Sequence, residues 1–219
     1  MHSIYNHINA DRKQGGTLYK CLRHKGKPYK KKSGEYRYAG RGHIPNRTDI
    51  SERPKIVDKK KRCGDYEVDL IIGKNHQGAI LTIVDRKTKF TLGMLLNSKH
   101  ADAVAAALIE LLRKVPAAMR HTLTFDNGKE FAKHLLMCAA LEMDSYFAKP
   151  YHSWERGLNE HTNGLLREYF PKGTDFTLLH NEEVQAAIKR INQRPRVVLK
   201  GFTPEERFEI ESKKHSNAS

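Results

Sequence analysis

The sequence predicts an α/β fold in which a mixed five-stranded sheet is flanked by helices. Three β-rich runs follow one another between residues 65 and 97, and two shorter runs come later in the chain. Segments with helical periodicity separate and follow the later runs. The resulting order, β-β-β-α-β-α-β-α-α, is typical of a sheet covered by helices.

The first three strands are predicted from runs rich in β-branched residues. These runs are "YEVDLIIGK" (66–74), "AILTIVDRK" (79–87) and "KFTLGMLLN" (89–97). Short polar connections at 75–78 and 86–89 suit hairpin turns. We therefore expect three consecutive strands joined by hairpins.

Helices and strands alternate in the next part of the chain. The Ala- and Leu-rich segment 101–114 predicts a helix that ends before Pro116. A strand is predicted at 121–126, a helix at 129–142 and a strand at 144–148. Such an alternation places later strands beside the first strands through helical connections.

Two more helices are predicted near the C-terminus, and short helical stretches near the N-terminus. One helix should begin between Trp154 and Asn159 and run to about Tyr169, and another should cover 182–193. Residues 2–10 have Ile spaced by four, and 18–24 also permits a short helix. We expect the remaining residues from 15 to 64 to form a basic linker, partly disordered, and residues 213–219 to form a disordered tail.

The charge is concentrated at the start of the chain. Residues 1–64 hold 18 of the 40 Lys and Arg but only 5 of the 25 Asp and Glu, so they carry +13 of the net charge of +15. A field this uneven indicates a polyanionic partner, most simply the phosphate backbone of DNA. The residues expected to contact DNA in this arm are Lys30, Lys31, Lys32, Arg37, Lys59, Lys60, Lys61 and Arg62.

Composition argues against several other classes of protein. No apolar run approaches the roughly 18 residues of a membrane span, so we expect no membrane partner. The 3 cysteines are far apart in sequence, which is typical of a reducing cytoplasm and not of a disulfide scaffold. We therefore expect a cytoplasmic protein.

Three acidic residues stand out by their positions. Asp69 lies inside the first predicted strand between Val68 and Leu70, where an ionised side chain needs compensation. Asp126 ends the fourth strand, and Glu160 lies early in the third long helix. Each also has an ordinary interpretation: a partner of a buried cation, a turn residue and part of an exposed helix surface, respectively.

Together the three acids suit a metal site. Carboxylates bind Mg²⁺ or Mn²⁺ along with substrate phosphates, and two such ions stabilise the attacking and leaving oxygens of a phosphodiester displacement. Paired acids also serve glycoside hydrolysis, but the basic arm favours a phosphate substrate. Four neighbours of Glu160 are expected to contact DNA or to orient the acid: Arg156, Asn159, Asn163 and Arg167.

Several motifs resemble a known family. "DNGKEF" (126–131) resembles the "DNG-x-EF" of retroviral-integrase-like cores, which have a ribonuclease-H-like fold. Together with "YEVDLIIGK", "PYHSWERGLNEHTNGLLREYFPKGTDF" and "INQRPRVVLKGFTPEE", it resembles DDE transposases of the insertion-sequence-thirty family, over about residues 4–208. The resemblance implies that Asp69, Asp126 and Glu160 are catalytic and metal-binding, and that Arg167 is the basic residue after the glutamate.

The resemblance also implies a function and an organisation. Metal-dependent water attack would free a DNA 3′-hydroxyl, which would then attack target DNA, with terminal inverted repeats as the other DNA partner. A homo-oligomeric synaptic complex and a bacterial, nucleoid-associated location are implied. Residues 1–14 would be the last piece of a helical DNA-binding region truncated at its N-terminus, 15–64 the linker and 65–212 the catalytic core.

Two alternatives remain open at this point. The first is a catalytically inactive truncated transposase that acts only as a DNA-binding protein. The second is a ribonuclease H or repair nuclease with the same fold. Magnesium-dependent cleavage distinguishes the first alternative, and preference for an RNA–DNA hybrid distinguishes the second.

Overall fold

The computed structural model describes residues 2–22, 44–149 and 157–216. Its contacts divide the chain into two units, Met1–Tyr38 and Ala39–Ser219. In the first unit, α1 (His2–Lys13) is followed by a 3₁₀ turn at Leu18–Cys21. The backbone N–H of Leu18 donates to Asp11 Oδ2 at 3.0 Å, which joins the two helical segments.

The second unit contains the predicted mixed sheet. Its strand order is β3-β2-β1-β4-β5; β1, β2 and β3 are antiparallel neighbours, whereas β4 and β5 run parallel to β1. The fold class and the order of the strands along the sequence are therefore as predicted. The strands are β1 (Asp65–Ile72), β2 (Ala79–Asp85), β3 (Thr91–Leu96), β4 (Thr122–Phe125) and β5 (Asp144–Phe147).

Helices cover both faces of this sheet. Alternation along β1 sends Val68 into a core with α3 and α4, and Ile71 into a second core with α5 and α6. Asp69 is on the same face as Ile71, so it lies under α5 and α6. The helices of this unit are α2 (Lys55–Asp58), α3 (Ala101–Arg113), α4 (His134–Leu141), α5 (Gly157–Tyr169), α6 (Asn181–Asn192) and α7 (Pro204–Ser216).

The prediction of a basic linker over 15–64 is wrong for its C-terminal part. Ile44, Ile50 and Val57 are buried, and Phe147 in β5 donates its N–H to the carbonyl of Thr48 at 2.9 Å. This stretch packs because its few apolar side chains are placed to cover the β4–β5 side of the sheet. Residues 23–43 lie outside the described residues, and with them the predicted DNA contacts Lys30, Lys31, Lys32 and Arg37.

The predicted tail also needs correction. Helix α7 was not expected, and it continues to Ser216, so the described part of the stretch 213–219 is helical. Phe208 anchors α7 because its ring stacks on Phe90 with centroids 4.3 Å apart. Within the described ranges, none of the helices combines the length and apolar character required to cross a membrane.

Candidate active site

The strand register places two of the three predicted acids side by side in the fold. Glu67 in β1 is the partner of Thr124 in β4, and the two strands are parallel. Two residues further along each strand are Asp69 and, directly after β4, Asp126. Because side chains alternate between faces, both acids belong to the face covered by α5 and α6.

Hydrogen bonds to strand and helix hold the carboxylate of Asp69. The amide Nδ2 of Asn163 in α5 donates to Oδ2 at 2.8 Å, and the N–H of Leu70 donates to Oδ1 at 3.0 Å. Thr82 Oγ1 in β2 lies 3.1 Å from Asn163 Oδ1 and 3.2 Å from the carbonyl of Asp69. Helix α5 is thus attached to the sheet at this half-buried carboxylate.

The turn after β4 orients Asp126. Its Oδ1 accepts the N–H of Gly128 at 2.8 Å, which is the turn role expected as the ordinary interpretation. Asn127 donates its side-chain amide to the carbonyl of Ala148 at 2.6 Å and accepts a hydrogen bond from Arg47. The turn is therefore fastened to the chain after β5, and this leaves Asp126 half-exposed at the strand end.

Glu160 lies in the first turn of α5 and is exposed. Leu165 packs toward α6, which is bonded to β3 through Gln185 Nε2 and the carbonyl of Gly93 at 2.7 Å. At about 100° per residue, Glu160 is about 140° around the helix from Leu165. It therefore lies on the side of α5 that faces away from α6, the side on which β4 and Asp126 lie.

The three acids share one side of the sheet but are not assembled into a cation site. In the part of the chain that the structure describes, no three His, Cys, Asp or Glu side chains are grouped closely enough to hold a metal. The donor set is nevertheless made of carboxylate oxygens, which suit Mg²⁺ or Mn²⁺. Residues 150–156, including the predicted contact Arg156, lie outside the described ranges.

A polar cleft of about 880 Å³ opens beside Asp126. Residues 76–78 and 97–101 form two of its walls, and 126–130 form a third. Lys99 and Lys129 contribute positive charge, and neither was among the DNA contacts predicted from the sequence. Their signal was weak: Lys129 is part of the "DNGKEF" motif, but Lys99 stands in an unremarkable loop.

Three of the residues predicted to contact DNA around Glu160 are buried or hydrogen-bonded inside the protein. Asn159 is fully buried, so in this conformation it does not reach DNA. Arg167 donates to the carbonyl of Ile72 at 2.9 Å and to those of Phe170 and Pro171 at 3.4 Å each. Burial lowers the pKa of the Arg167 guanidinium from its usual value. Asn163, as described, bonds Asp69.

The basic run at 59–62 lies before the start of the central strand β1, at the end of the sheet opposite the acids. Lys59, Lys60 and Lys61 are exposed. Arg62 makes a bidentate ion pair with Asp65, with both nitrogen–oxygen distances at 2.9 Å. The side-chain hydrogen bonds to Asp65 raise the pKa of Arg62. A DNA contact by this run would therefore be separate from the acids.

Comparison with known proteins identifies relatives over most of the chain. The chain is 51% identical over 206 residues to the transposase of insertion sequence IS4351 from Bacteroides fragilis, covering 94% of this chain and 62% of that protein. It is 38% identical over 167 residues to the transposase InsI of IS30C from Escherichia coli, covering 76% of this chain and 43% of that protein. The chain thus spans less than two thirds of the length of these relatives. No family model matches it.

The fold has a counterpart among solved structures. The catalytic core domain of BIV integrase superposes with a TM-score of 0.54 at 18% identity, covering 70% of this chain and 97% of that one. At this identity the likeness concerns the fold. It confirms the predicted ribonuclease-H-like architecture of retroviral integrase cores.

Proposed function

Because the chain is a homologue of insertion-sequence transposases, those of the IS30 elements among them, we propose that it cuts and joins DNA strands in transposition. The observation that supports this activity is the strand register that puts Asp69 and Asp126 on one face, beneath the helix that carries Glu160. These three residues are the proposed catalytic acids and metal ligands.

Asp69, Asp126 and Glu160 would hold two Mg²⁺ or Mn²⁺ ions, which when bound would stabilise the attacking and leaving oxygens of a phosphodiester displacement. The protein's own groups fix these ligands. Asn163 orients Asp69, and the turn at Gly128 orients Asp126. The three acids would have to come closer together, or be drawn together by the metal, since they are not grouped as a metal site in this conformation.

DNA is the proposed substrate, and the cleft beside Asp126 is its proposed path. Lys99 and Lys129 in its walls would contact phosphates near the acids. The proposed DNA partners are the terminal inverted repeats of the element and a target duplex. A homo-oligomer would bring two element ends together, as strand transfer of both ends requires.

A second function is DNA binding without cleavage. One observation favours it: Glu160 is exposed, and among the described residues the three acids do not form a group that could hold a metal. Under this alternative the basic residues of the segment 15–64 would bind DNA while the acids served structural roles.

The decisive experiment compares cleavage and binding for the same variants. The substrate is duplex DNA carrying the sequences that flank this gene, with Mg²⁺ or Mn²⁺. Asp126→Asn should abolish metal-dependent nicking, while Asp144→Asn, an exposed acid at the opposite end of a neighbouring strand, should leave it intact. Salt-sensitive binding without cleavage by any of these proteins would support the second function. Preference for an RNA–DNA hybrid would point to a ribonuclease instead.

A further inference from the structure

A buried carboxylate in the middle of the sheet has two separate partners. Glu67 in β1 is 1% exposed. Its Oε1 accepts from Arg86 Nη1 at 2.7 Å, and its Oε2 accepts the backbone N–H of Asn159 at 3.1 Å. A buried charge is costly unless it is paired and hydrogen-bonded, and here both oxygens are used.

The cation of this pair belongs to a larger network. Arg86, directly after β2, is 4% exposed, and its Nη2 is 3.5 Å from Asp58 at the end of α2. Asp58 also accepts from Arg53, whose other terminal nitrogen donates to Thr124 Oγ1 at 2.9 Å. The network therefore fixes Arg86 from the side of β4 and α2, so the carboxylate of Glu67 is held in one place.

The other partner of Glu67 is the first turn of α5. The N–H of Asn159 is one of the first four of the helix, which have no partner within it, and a carboxylate is favoured at this end. Asn159 immediately precedes Glu160. One turn later, Asn163 bonds Asp69.

The two hydrogen bonds that attach α5 to β1 are spaced about equally on the helix and on the strand. Asn159 and Asn163 are separated by about 6 Å along α5. Glu67 and Asp69, neighbours on one face of β1, are separated by about 7 Å. Helix α5 is therefore aligned along β1 by two bonds, and Glu160 lies between them.

We propose that the buried Glu67–Arg86 ion pair is a positioning device that fixes the first turn of α5 and thereby the location of Glu160. The proposal rests on the proposed catalytic role of Glu160, but its structural part stands independently. Glu67 and Arg86 are positioning residues, because they act through α5 and do not touch substrate.

Hydrogen exchange tests the structural part without DNA, metal or turnover. In Glu67→Gln, the amides of His161, Thr162 and Asn163, which bond back to the first turn, should exchange at least about ten-fold faster while those of α3 are unchanged. Glu211→Gln is the matched control. Glu211 is also a buried acid in an ion pair, 2.7 Å from Lys87, but it belongs to α7. Its loss should leave α5 exchange unchanged.

A second variant guards against failure of Glu67→Gln to fold. Asn159→Pro removes the N–H donor, together with the buried side-chain amide, and keeps the ion pair, within the first helical turn where proline is tolerated. It should accelerate exchange of the same amides. Asn159→Ala, which loses the same side chain but keeps the N–H donor, is its control and should change exchange less. Unchanged α5 exchange in the folded variants, or equal acceleration throughout the protein, would overturn the proposal.

The dependence of cleavage on metal concentration tests whether the Glu67–Arg86 ion pair acts through Glu160. Glu67→Gln should raise the Mn²⁺ concentration for half-maximal cleavage by about ten-fold or more, as loss of outer-shell support does, with unchanged DNA affinity. An unchanged Mn²⁺ requirement would refute the link to Glu160. If the wild-type protein does not cleave DNA, the proposed function fails, whereas the exchange experiment still decides whether Glu67 positions α5.

Discussion

The side-chain amide of Asn163 donates a 2.8 Å hydrogen bond to Oδ2 of Asp69 and so joins α5 to the central strand at the proposed metal ligand. Thr82 lies 3.1 Å from the other end of the same amide. A carboxylate inside a strand is thereby held by the helix that carries Glu160. Metal ligands depend on such supporting hydrogen bonds for their orientation.

Replacement of Asn163 by Ala should slow metal-dependent cleavage by about 10- to 100-fold, the usual effect of removing a group that orients a metal ligand. The unfolding free energy should also fall, by about 2–4 kcal/mol, because two hydrogen bonds are lost and the one to Asp69 involves a charged group. Cleavage kinetics and urea unfolding measure the two effects. Asn181→Ala is the control, because Asn181 bonds Leu95 at 3.0 Å in a similar helix–strand contact remote from the acids. Equal effects of both variants on cleavage would contradict this role.

Arg167 should contribute to stability more than to DNA binding. Arg167→Met removes three hydrogen bonds to backbone carbonyls and should lower the unfolding free energy by about 1–3 kcal/mol. Arg190→Met, at an exposed position in α6, should have little effect. Urea unfolding provides the comparison. A decrease of about 0.9 in the salt-dependence slope of DNA binding, without loss of stability, would instead identify Arg167 as a phosphate contact.

The thiols should differ widely in reactivity. Cys63 is 1% exposed, and burial, together with the nearby Asp85, raises its pKa well above the usual value; Cys21 is exposed. Alkylation near neutral pH, followed by peptide mapping, should modify Cys21 about a thousand-fold faster than Cys63, which becomes accessible only on unfolding. In urea the two rates should converge. Rapid labelling of Cys63 in the folded protein would contradict its burial in the core that α3 covers.

The same thiol should make stability depend on alkaline pH. Because the folded pKa is raised above the ordinary value of 9.0, the folded protein retains a proton there that the unfolded chain releases. Its contribution is complete below pH 9 and is lost as the pH rises beyond it, at about 1.4 kcal/mol per pH unit. Cys63→Ala should remove this part of the slope between pH 9 and 10, as measured by urea unfolding. An identical slope in the variant would contradict it.

The sequence predicted the sheet well, because each strand carries its own local signal. Runs of β-branched residues and short turns locate β1, β2 and β3, and the Ala-rich periodicity locates α3. Helix α7 was not predicted because its sequence, "PEERFEIESKKHS", is largely polar. Its position depends on the stacking of Phe208 on Phe90, which the sequence does not indicate.

Side-chain partners were much harder to predict. Asp69 and Asp126 were predicted to belong to one metal site, but only the parallel register of β1 and β4 shows that they lie on one face of the sheet. Asn159 appeared to be a polar helix residue, yet it faces the sheet and is buried. The Glu67–Arg86 pair left no sequence signal, since its members are 19 residues apart and meet through antiparallel pairing.

Cleavage by Glu160→Gln tests the central claim most directly. Duplex DNA with the flanking sequences of this gene is incubated with Mg²⁺ or Mn²⁺ and either wild-type protein, Glu160→Gln or Glu168→Gln. Glu168, an acid later in α5, is the control. We expect nicking by wild type and Glu168→Gln, and its loss in Glu160→Gln with DNA binding retained. Equal nicking by Glu160→Gln would contradict the assignment of Glu160 as the third catalytic acid.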